Sequence, residues 1–428
     1  MTQRTATQEE AYLAASESFE SNGASHDPAW ARELRRDALD RFRELGFPTA
    51  RRGNEEWKYT DVMPIARVPV RLGMSDAAAT VDADAVAQAS LGGARWPQLV
   101  FVNGRYSEAL SSVDALPERV TAVSLAEAMR STPDLVQSHL ARHAEYAGNP
   151  FTALNTAFLH DGAFVHIARG ARVDDPIRLL FLTSGDGEET VSQPRVLIAA
   201  GEESSASVLE SYAGLSDGEH LTNAVTEIVV GAAARLDYYK VQRQPEQAYH
   251  VTNTYVAIER DSWFSSVNID MGGRLTRNNL NLLTLDSDCS CSLTGFYMVA
   301  GRQHVDNQVI IDHAKPYTTS RELYKGILDG RSRSVFHGSI IVREGAVKVN
   351  ANQVDKNLIL SDQAEADTKP AFWIYCDDVK CGHGAACGQM DPTALFYLRS
   401  RGIDERAAKS LLTRAFLSEV IELSLIHI

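Results

Sequence analysis

Two cysteines, a histidine and two aspartates fall within eight residues in the run Cys376-Asp377-Asp378-Val379-Lys380-Cys381-Gly382-His383. Thiolate and imidazole are ligands for iron, zinc or copper. Four residues separate the cysteines and one separates Cys381 from His383. This spacing matches no closed structural zinc site, and no second Cys/His pair lies near enough in sequence to complete one. Gly382 and Gly384 suit a turn that presents His383 with little shielding. The alternative is a buried-thiol turn joining a β region to helices. Cys289 and Cys291 flank Ser290, and on a strand they share a face. That permits chelation, but it is also the pattern of core filling, and core filling is the reading taken. Asp306, Asp312 and His313 in HVDNQVIIDH are the residue types of polysaccharide hydrolysis or lysis; in a β region such residues also satisfy turn backbone. No Lys follows a Gly, so there is no P-loop and no nucleotide site of the chain's own. Tyr324-Lys325-Gly326 and Arg331-Ser332-Arg333 read as solvated strand edges.

The elements that must position these groups change character along the chain. Residues 1–28 are small and polar and read as a partly ordered arm. Residues 29–45 have helical spacing at Leu34, Ala38, Phe42 and Leu45, stopped by Gly46 and Pro48. LVFVNG reads as a strand, a helix begins near Ser124, and residues 133–149 read as a helix ended by Gly148 and Pro150. From Ala163 to Ser361 short apolar stretches alternate with polar residues, separated by Gly, Asn, Asp or Ser. The strands are many and short, hairpin signals are scarce, and Gly-Ala phrases recur at Gly162, Gly170, Gly231 and Gly345. This favours a β-solenoid over a sandwich. Asp391-Pro392 and Asp404 each start a C-terminal helix. The expected organisation is mainly β: 1–150 helical and mixed, 151–375 a parallel β-helix core, 376–428 a helical domain. Helical blocks on both sides would cover the solenoid's open ends.

The 428 residues carry a formal net charge of −14. The acidic balance argues against a nucleic-acid surface and a polybasic membrane anchor. Five cysteines in so long a chain suggest free thiols in a reducing compartment. No run of 18 apolar residues occurs, and the N-terminus resembles neither a signal nor a transit peptide, so the expectation is a cytoplasmic protein. Leu423–Ile428 matches the translation of a common sequencing adapter, which puts the natural end near Glu422.

Several stretches, in this order, resemble the SufB/SufD family of scaffold subunits of the SUF iron–sulfur cluster assembly complex. They are Gly46-Phe47-Pro48-Thr49-Ala50-Arg51 with Glu55-Glu56-Trp57-Lys58-Tyr59-Thr60, then LVFVNG and Ala153-Leu154-Asn155-Thr156-Ala157-Phe158. Ile311-Asp312-His313, Tyr324-Lys325-Gly326 and Asn357-Leu358-Ile359-Leu360-Ser361 follow, and last DDVKCGHGAACGQMD running into LFYLRSRGI. The likeness spans residues 30 to 422 and favours the D type (SufD). The B type reads HEATTSKI where this chain reads His383-Gly384-Ala385-Ala386-Cys387-Gly388-Gln389-Met390. The resemblance implies a right-handed parallel β-helix between helical regions and a non-catalytic scaffold role. It also implies pairing with a SufB-type chain and a SufC-type ATPase bound through the C-terminal helices, with sulfur arriving from a cysteine desulfurase route. It implies that His383, with Cys381 beside it, lies at the contact with the B-type chain, where a transient nascent iron–sulfur cluster forms. Cys376 replaces a small residue of the family and Ala386-Cys387 replaces Thr-Val; packing variants and extra sulfur acceptors are both open. Two other classes remain: a β-helix polysaccharide enzyme using Asp306 or Asp312, and a solenoid interaction module without a metal role.

Overall fold

The computed structural model describes residues 2–22, 27–50, 54–72, 81–93, 95–184 and 191–423. The N-terminal elements are α1 (Thr2–Asn22), α2 (Ala29–Leu45), α3 (Met63–Ala66), α4 (Ala83–Ala89), β1 (Gln98–Val102), β2 (Arg105–Tyr106), β3 (Val120–Ser124), α5 (Leu125–Ser131), α6 (Pro133–His139) and α7 (Pro150–Ala157). Two parallel sheets follow. The first contains β4 (Gly162–Ile167), β7 (Arg195–Ala200), β9 (Leu221–Val230), β11 (Tyr249–Ile258), β13 (Leu275–Thr284), β15 (His304–His313), β17 (Arg333–Val342) and β19 (Glu365–Ile374). The second contains β5 (Ile177–Thr183), β8 (Ser205–Gly214), β10 (Arg235–Arg243), β12 (Trp263–Asp270), β14 (Ser290–Val299), β16 (Thr319–Leu328), β18 (Asn350–Ile359) and β20 (Lys380–Gln389). The short β6 (Val191–Ser192) pairs with β9. Successive strands alternate between the sheets, so each pair of strands is one coil of a parallel β-solenoid. Helices α8 (Pro392–Ser400) and α9 (Glu405–Ile421) end the described chain.

The chain turns this often because its corners accept left-handed backbone. Gly170, Glu203, Ala233, Asp261, Asp288, Tyr317 and Lys348 all have positive φ between 56° and 69°. They form one stack. Each N–H donates to a carbonyl of the next corner, from Gly170 to Glu202, Glu203 to Ala232, and onward to Lys348 and Asp378. The Gly-Ala phrases at Gly170, Gly231 and Gly345 mark these corners, whereas Gly162 begins β4. At Gly231 the need is close approach, since a Cβ there would lie 2.9 Å from the backbone nitrogen of Glu202. Between the sheets, alternate residues form a continuous core, including Val208, Leu236, Phe264, Cys291, Leu293, Val309 and Ile340. Full burial of each such large apolar side chain contributes about 1.5–3 kcal/mol.

Both outer faces are partly covered. Tyr12 and Phe19 of α1 and Phe42 of α2 pack with Phe47, Trp57 and α7 against Leu221, Tyr249, Val251 and Leu275 of the first sheet. Leu417 and Val420 of α9 pack against Val267, Ile269, Phe296, Ile327 and Leu358 of the second.

The solenoid, the helix over 29–45, the helix capped by Ser124 and the C-terminal caps agree with the sequence reading. Other expectations are corrected. The N-terminal stretch read as an arm carries α1, anchored by Tyr12 and Phe19. The helix expected over 133–149 stops at His139, because Glu227 draws the chain down: its carboxylate accepts the N–H groups of Ala141, His143 and Ala144. Pro150 begins a helix rather than ending one, with Asn149 as its cap. The ladder continues to Gln389, so the boundary at 375 falls inside the last coil, and Cys381 and His383 lie on a strand rather than a turn. Of the adapter-like end, residues 424–428 lie outside the described residues.

Candidate functional site

The last strand of each sheet, β19 and β20, has a neighbour on one side only. In the register of β20 on β18, Cys381 lies opposite Ala351, His383 opposite Gln353 and Cys387 opposite Asn357. These odd-numbered positions continue the interior face of the solenoid, while Gly382, Gly384 and Gly388 face out. The interior face is covered as far as β18, where Ala351, Gln353 and Asp355 are buried. On β20 it emerges at the open end. Cys381 is half-buried and packs against the core, as does Cys376 in the link from β19. The His383 ring is exposed on one side and stacks on Phe372 of β19, with centroids 4.4 Å apart and planes 21° apart.

Cys381 and His383 are two residues apart on one face of a strand, which separates them by roughly 7 Å. One small inorganic group can touch both. Burial raises the Cys381 thiol, opposed by a backbone hydrogen bond involving Ala351. Among the described residues no three His, Cys, Asp or Glu side chains converge as a metal-binding group. This end therefore offers two donors of the right softness on one strand face.

The remaining sequence candidates resolve into structure. Cys289 and Cys291 are core residues; burial pushes the Cys289 thiol up to about 11 and Cys291 further in the same direction. Asp306 and Asp312 lie six residues apart on β15, roughly 20 Å, too far to act as a glycosidase pair. Asp306 is held by Arg277 at 2.6 Å and by Gln308 and Thr60. Asp312 pairs with Arg343 through two of its nitrogens. His313 points inward, bonds Thr318 and Ser320, and is pushed down by burial to about 4, so it is neutral. A groove of about 1070 Å³ lies between loop 141–149 and the first sheet. Several of its polar groups are already engaged: Asp312 with Arg343, and His337 with Gln308.

Two motifs prove to be clamps. Trp57 is buried under the Arg277 guanidinium, 3.8 Å from its ring centroid, and Arg277 also donates to the Glu56 carbonyl. This fixes the Glu55–Thr60 segment onto β13 and β15. Lys325 is not on a solvated edge. It is buried, donates to the Phe416 carbonyl and pairs with Glu419, which holds α9 against the second sheet. Sequence reasoning missed this cover and the polar interior behind β20, where Glu322, Gln353, Asp355 and Asn357 cluster. Their even spacing on β16 and β18 was the available signal. Beyond the clamp, α8 and α9 expose Phe396, Tyr397 and Leu411. No described helix is long and apolar enough to cross a membrane.

Comparison with known proteins bears on the same regions. Residues 181–416 match the family model for the SUF system FeS cluster assembly SufBD core domain, and residues 6–179 match that for the SufBD protein N-terminal region. A SufBD family iron–sulfur cluster assembly protein of Synechocystis is 30 % identical, with 91 % of this chain and 86 % of the relative covered. The SufD protein of Escherichia coli is 30 % identical over 94 % of this chain and 90 % of its own length. The SufD protein of Bacillus subtilis is 26 % identical over 92 % and 90 %. With both models matched end to end along the same solenoid and its flanking helices, this chain belongs to the SufBD family of the SUF iron–sulfur cluster assembly system.

Proposed function

We propose that this protein is a non-catalytic, cytoplasmic scaffold subunit of iron–sulfur cluster assembly, acting through the open end of its solenoid. Family membership supports the role in assembly. The observation that carries the finer reading is the pair His383 and Cys381, two soft donors on one strand face with no third ligand converging on them among the described residues. A nascent cluster, the cargo of the system, then needs donors from a second protein. The partner that fits is a homologous SufB-type chain meeting β19 and β20, whose unpaired edges are templates for another ladder. A mixed imidazole and thiolate site split between chains suits a cluster that must be passed on; four thiolates in one chain would hold it more firmly. The exposed apolar side chains of α8 and α9 are the proposed seat of a SufC-type ATPase. Sulfur reaches the assembly from a cysteine desulfurase route.

The test is His383→Ala in the chain co-expressed with its SufB-type and SufC-type neighbours. The complex should keep its native mass, since the ring contributes one stacking contact. Maturation of iron–sulfur enzymes in cells should fall. Normal maturation with the variant complex intact would refute the role given to His383.

A further inference from the structure

At the last coil the two sheets meet in a ring contact. Phe372 comes from β19 and His383 from β20. In register Phe372 lies opposite Ile340 and His383 opposite Gln353, both of them fully buried. One coil earlier the same positions pack differently. Gly338 has no side chain, and Gln353 takes the space: a Cβ on Gly338 would lie 1.8 Å from Nε2 of Gln353. On β19 Pro370 stands in the Gly338 position. The residue that follows Gln353 in its column is an imidazole, and it lies on the Phe372 ring, with centroids 4.4 Å apart and planes 21° apart. Phe372 is itself packed against the core, while His383 is exposed. An exposed side chain is thus laid against an anchored one.

We propose that Phe372 is the positioning residue of His383: its ring holds the imidazole in one plane and so fixes the direction from which an iron ion can be bound. The proposal rests on the cluster reading of His383 given above. In a neutral imidazole one ring nitrogen keeps a free lone pair, directed outward in the plane of the ring. The imidazole plane is nearly parallel to the Phe372 ring. An ion bound to that nitrogen therefore sits beside the stack and not over the Phe372 face.

The other neighbours of His383 do not supply this restraint. Gly382 and Gly384 carry no side chain, and Ala385, next on the same face, offers one methyl group. Gln353 on β18 is tied to Glu322 through its Nε2 at 2.8 Å. A histidine on an exposed strand has three staggered wells at χ1 and about two orientations at χ2, roughly six states in all. Offset stacking is a preferred arrangement of aromatic rings. Selecting one state before the ligand arrives removes that ordering cost from binding, which is the gain from preorganisation. Cys381 needs no such partner, because it packs against the core itself. The same core thus holds both donors, one directly and one through Phe372.

The test separates an aromatic face from mere bulk. Phe372→Leu keeps an apolar side chain against the core and removes the stack, whereas Phe372→Tyr keeps the ring. Each is made in the full-length chain, co-expressed with its SufB-type and SufC-type neighbours, beside the parent and His383→Ala. All four complexes should have the same native mass. Maturation of iron–sulfur enzymes should fall about three- to sixfold with Phe372→Leu, the range set by releasing the χ1 wells alone or all the side-chain states, and should be kept with Phe372→Tyr. In the isolated chain, isotopically labelled at its histidine rings, the His383 signal is assigned by its loss in His383→Ala. It should be displaced upfield by the Phe372 ring current and should move to the position of an exposed histidine in Phe372→Leu. Normal maturation with Phe372→Leu, where His383→Ala is defective, overturns the proposal and leaves the cluster reading standing. So does a loss that Phe372→Tyr shares in full. Normal maturation with His383→Ala refutes the cluster reading and this proposal with it. Should Phe372→Leu not fold, the parent spectrum decides: a His383 signal already at the position of an exposed histidine means that no stack restrains it, and the proposal falls.

Discussion

Glu322 faces the solenoid interior from β16 and is 2 % exposed. Burial pushes its carboxyl up to about 8 from an ordinary 4.5; the Asp355 charge adds to this and the Gln353 amide opposes it. Nε2 of Gln353 donates to Oε2 of Glu322 at 2.8 Å, while Oε1 of Glu322 and Oε1 of Gln353 both lack hydrogen-bond partners among the described residues. A proton on Glu322 supplies a donor that these two orphaned acceptors lack. Between pH 4.5 and 8 the folded chain holds a proton that the unfolded chain has lost, so this group's contribution to stability falls as pH rises through that window. At about 1.4 kcal/mol per pH unit, the loss reaches about 4 kcal/mol by pH 8, and about 2 kcal/mol of it accrues between pH 6 and 8. Glu322→Gln keeps the shape and a donor and cannot titrate. Urea unfolding of both proteins, followed by far-ultraviolet circular dichroism at pH 6, 7 and 8, isolates the effect, because the other titrating groups cancel in the difference. The variant should gain on the parent by about 2 kcal/mol across that range. A difference that stays flat with pH refutes the reasoning, since it would mean that Glu322 is ionised in the native protein throughout.

Two further outcomes follow from the clamps and the glycine cavities. Arg277→Met leaves Asp306 buried without its cation and uncovers the Trp57 face; a loss of about 3–5 kcal/mol is expected by denaturant unfolding, together with faster proteolysis within residues 46–60. Gly326→Ala drives a methyl group into the Tyr297 ring and the Asn357 amide and should cost about 1–3 kcal/mol by urea unfolding, whereas Gly345→Ala, at a corner with open space but positive φ, should lower stability by about 1 kcal/mol in the same assay.

How far the sequence reveals this molecule depends on where the determining interactions lie. The caps at Ser124, Asp391 and Asp404 were legible because a cap is a contact within three residues. The solenoid was legible because alternation and corner residues repeat along the chain. The segment 376–384 was misread because its glycines look like turn formers; they face outward on β20, and only pairing with β18 makes the segment a strand. Lys325 looked like a solvated charge because nothing local distinguishes it. Its partners, Phe416 and Glu419, lie about ninety residues further on. The helix α1 was missed for the same reason: its own composition is polar, and Tyr12 and Phe19 gain their burial from α2, α7 and the first sheet. Cys381 and His383 were picked out by residue type and spacing, but their shared face required the ladder.

The polar interior and the open end belong to one physical arrangement. A solenoid that ended on an apolar coil would expose its core and aggregate along its edges. Here the row of Tyr297, Asn357 and Cys387 and the row of Glu322, Gln353 and His383 carry hydrogen-bonding groups from the inside to the last strand. Phe372, Cys376, Val379 and Cys381 near the same end pack against the core. The terminal face can therefore stand in water and still present thiol and imidazole at fixed spacing on a strand held by a full ladder. A rigid strand positions ligands better than a loop does. That is why the correction from turn to strand strengthens the reading of His383 and Cys381: on a glycine turn each would move separately, whereas on β20 their separation is set by the pleat.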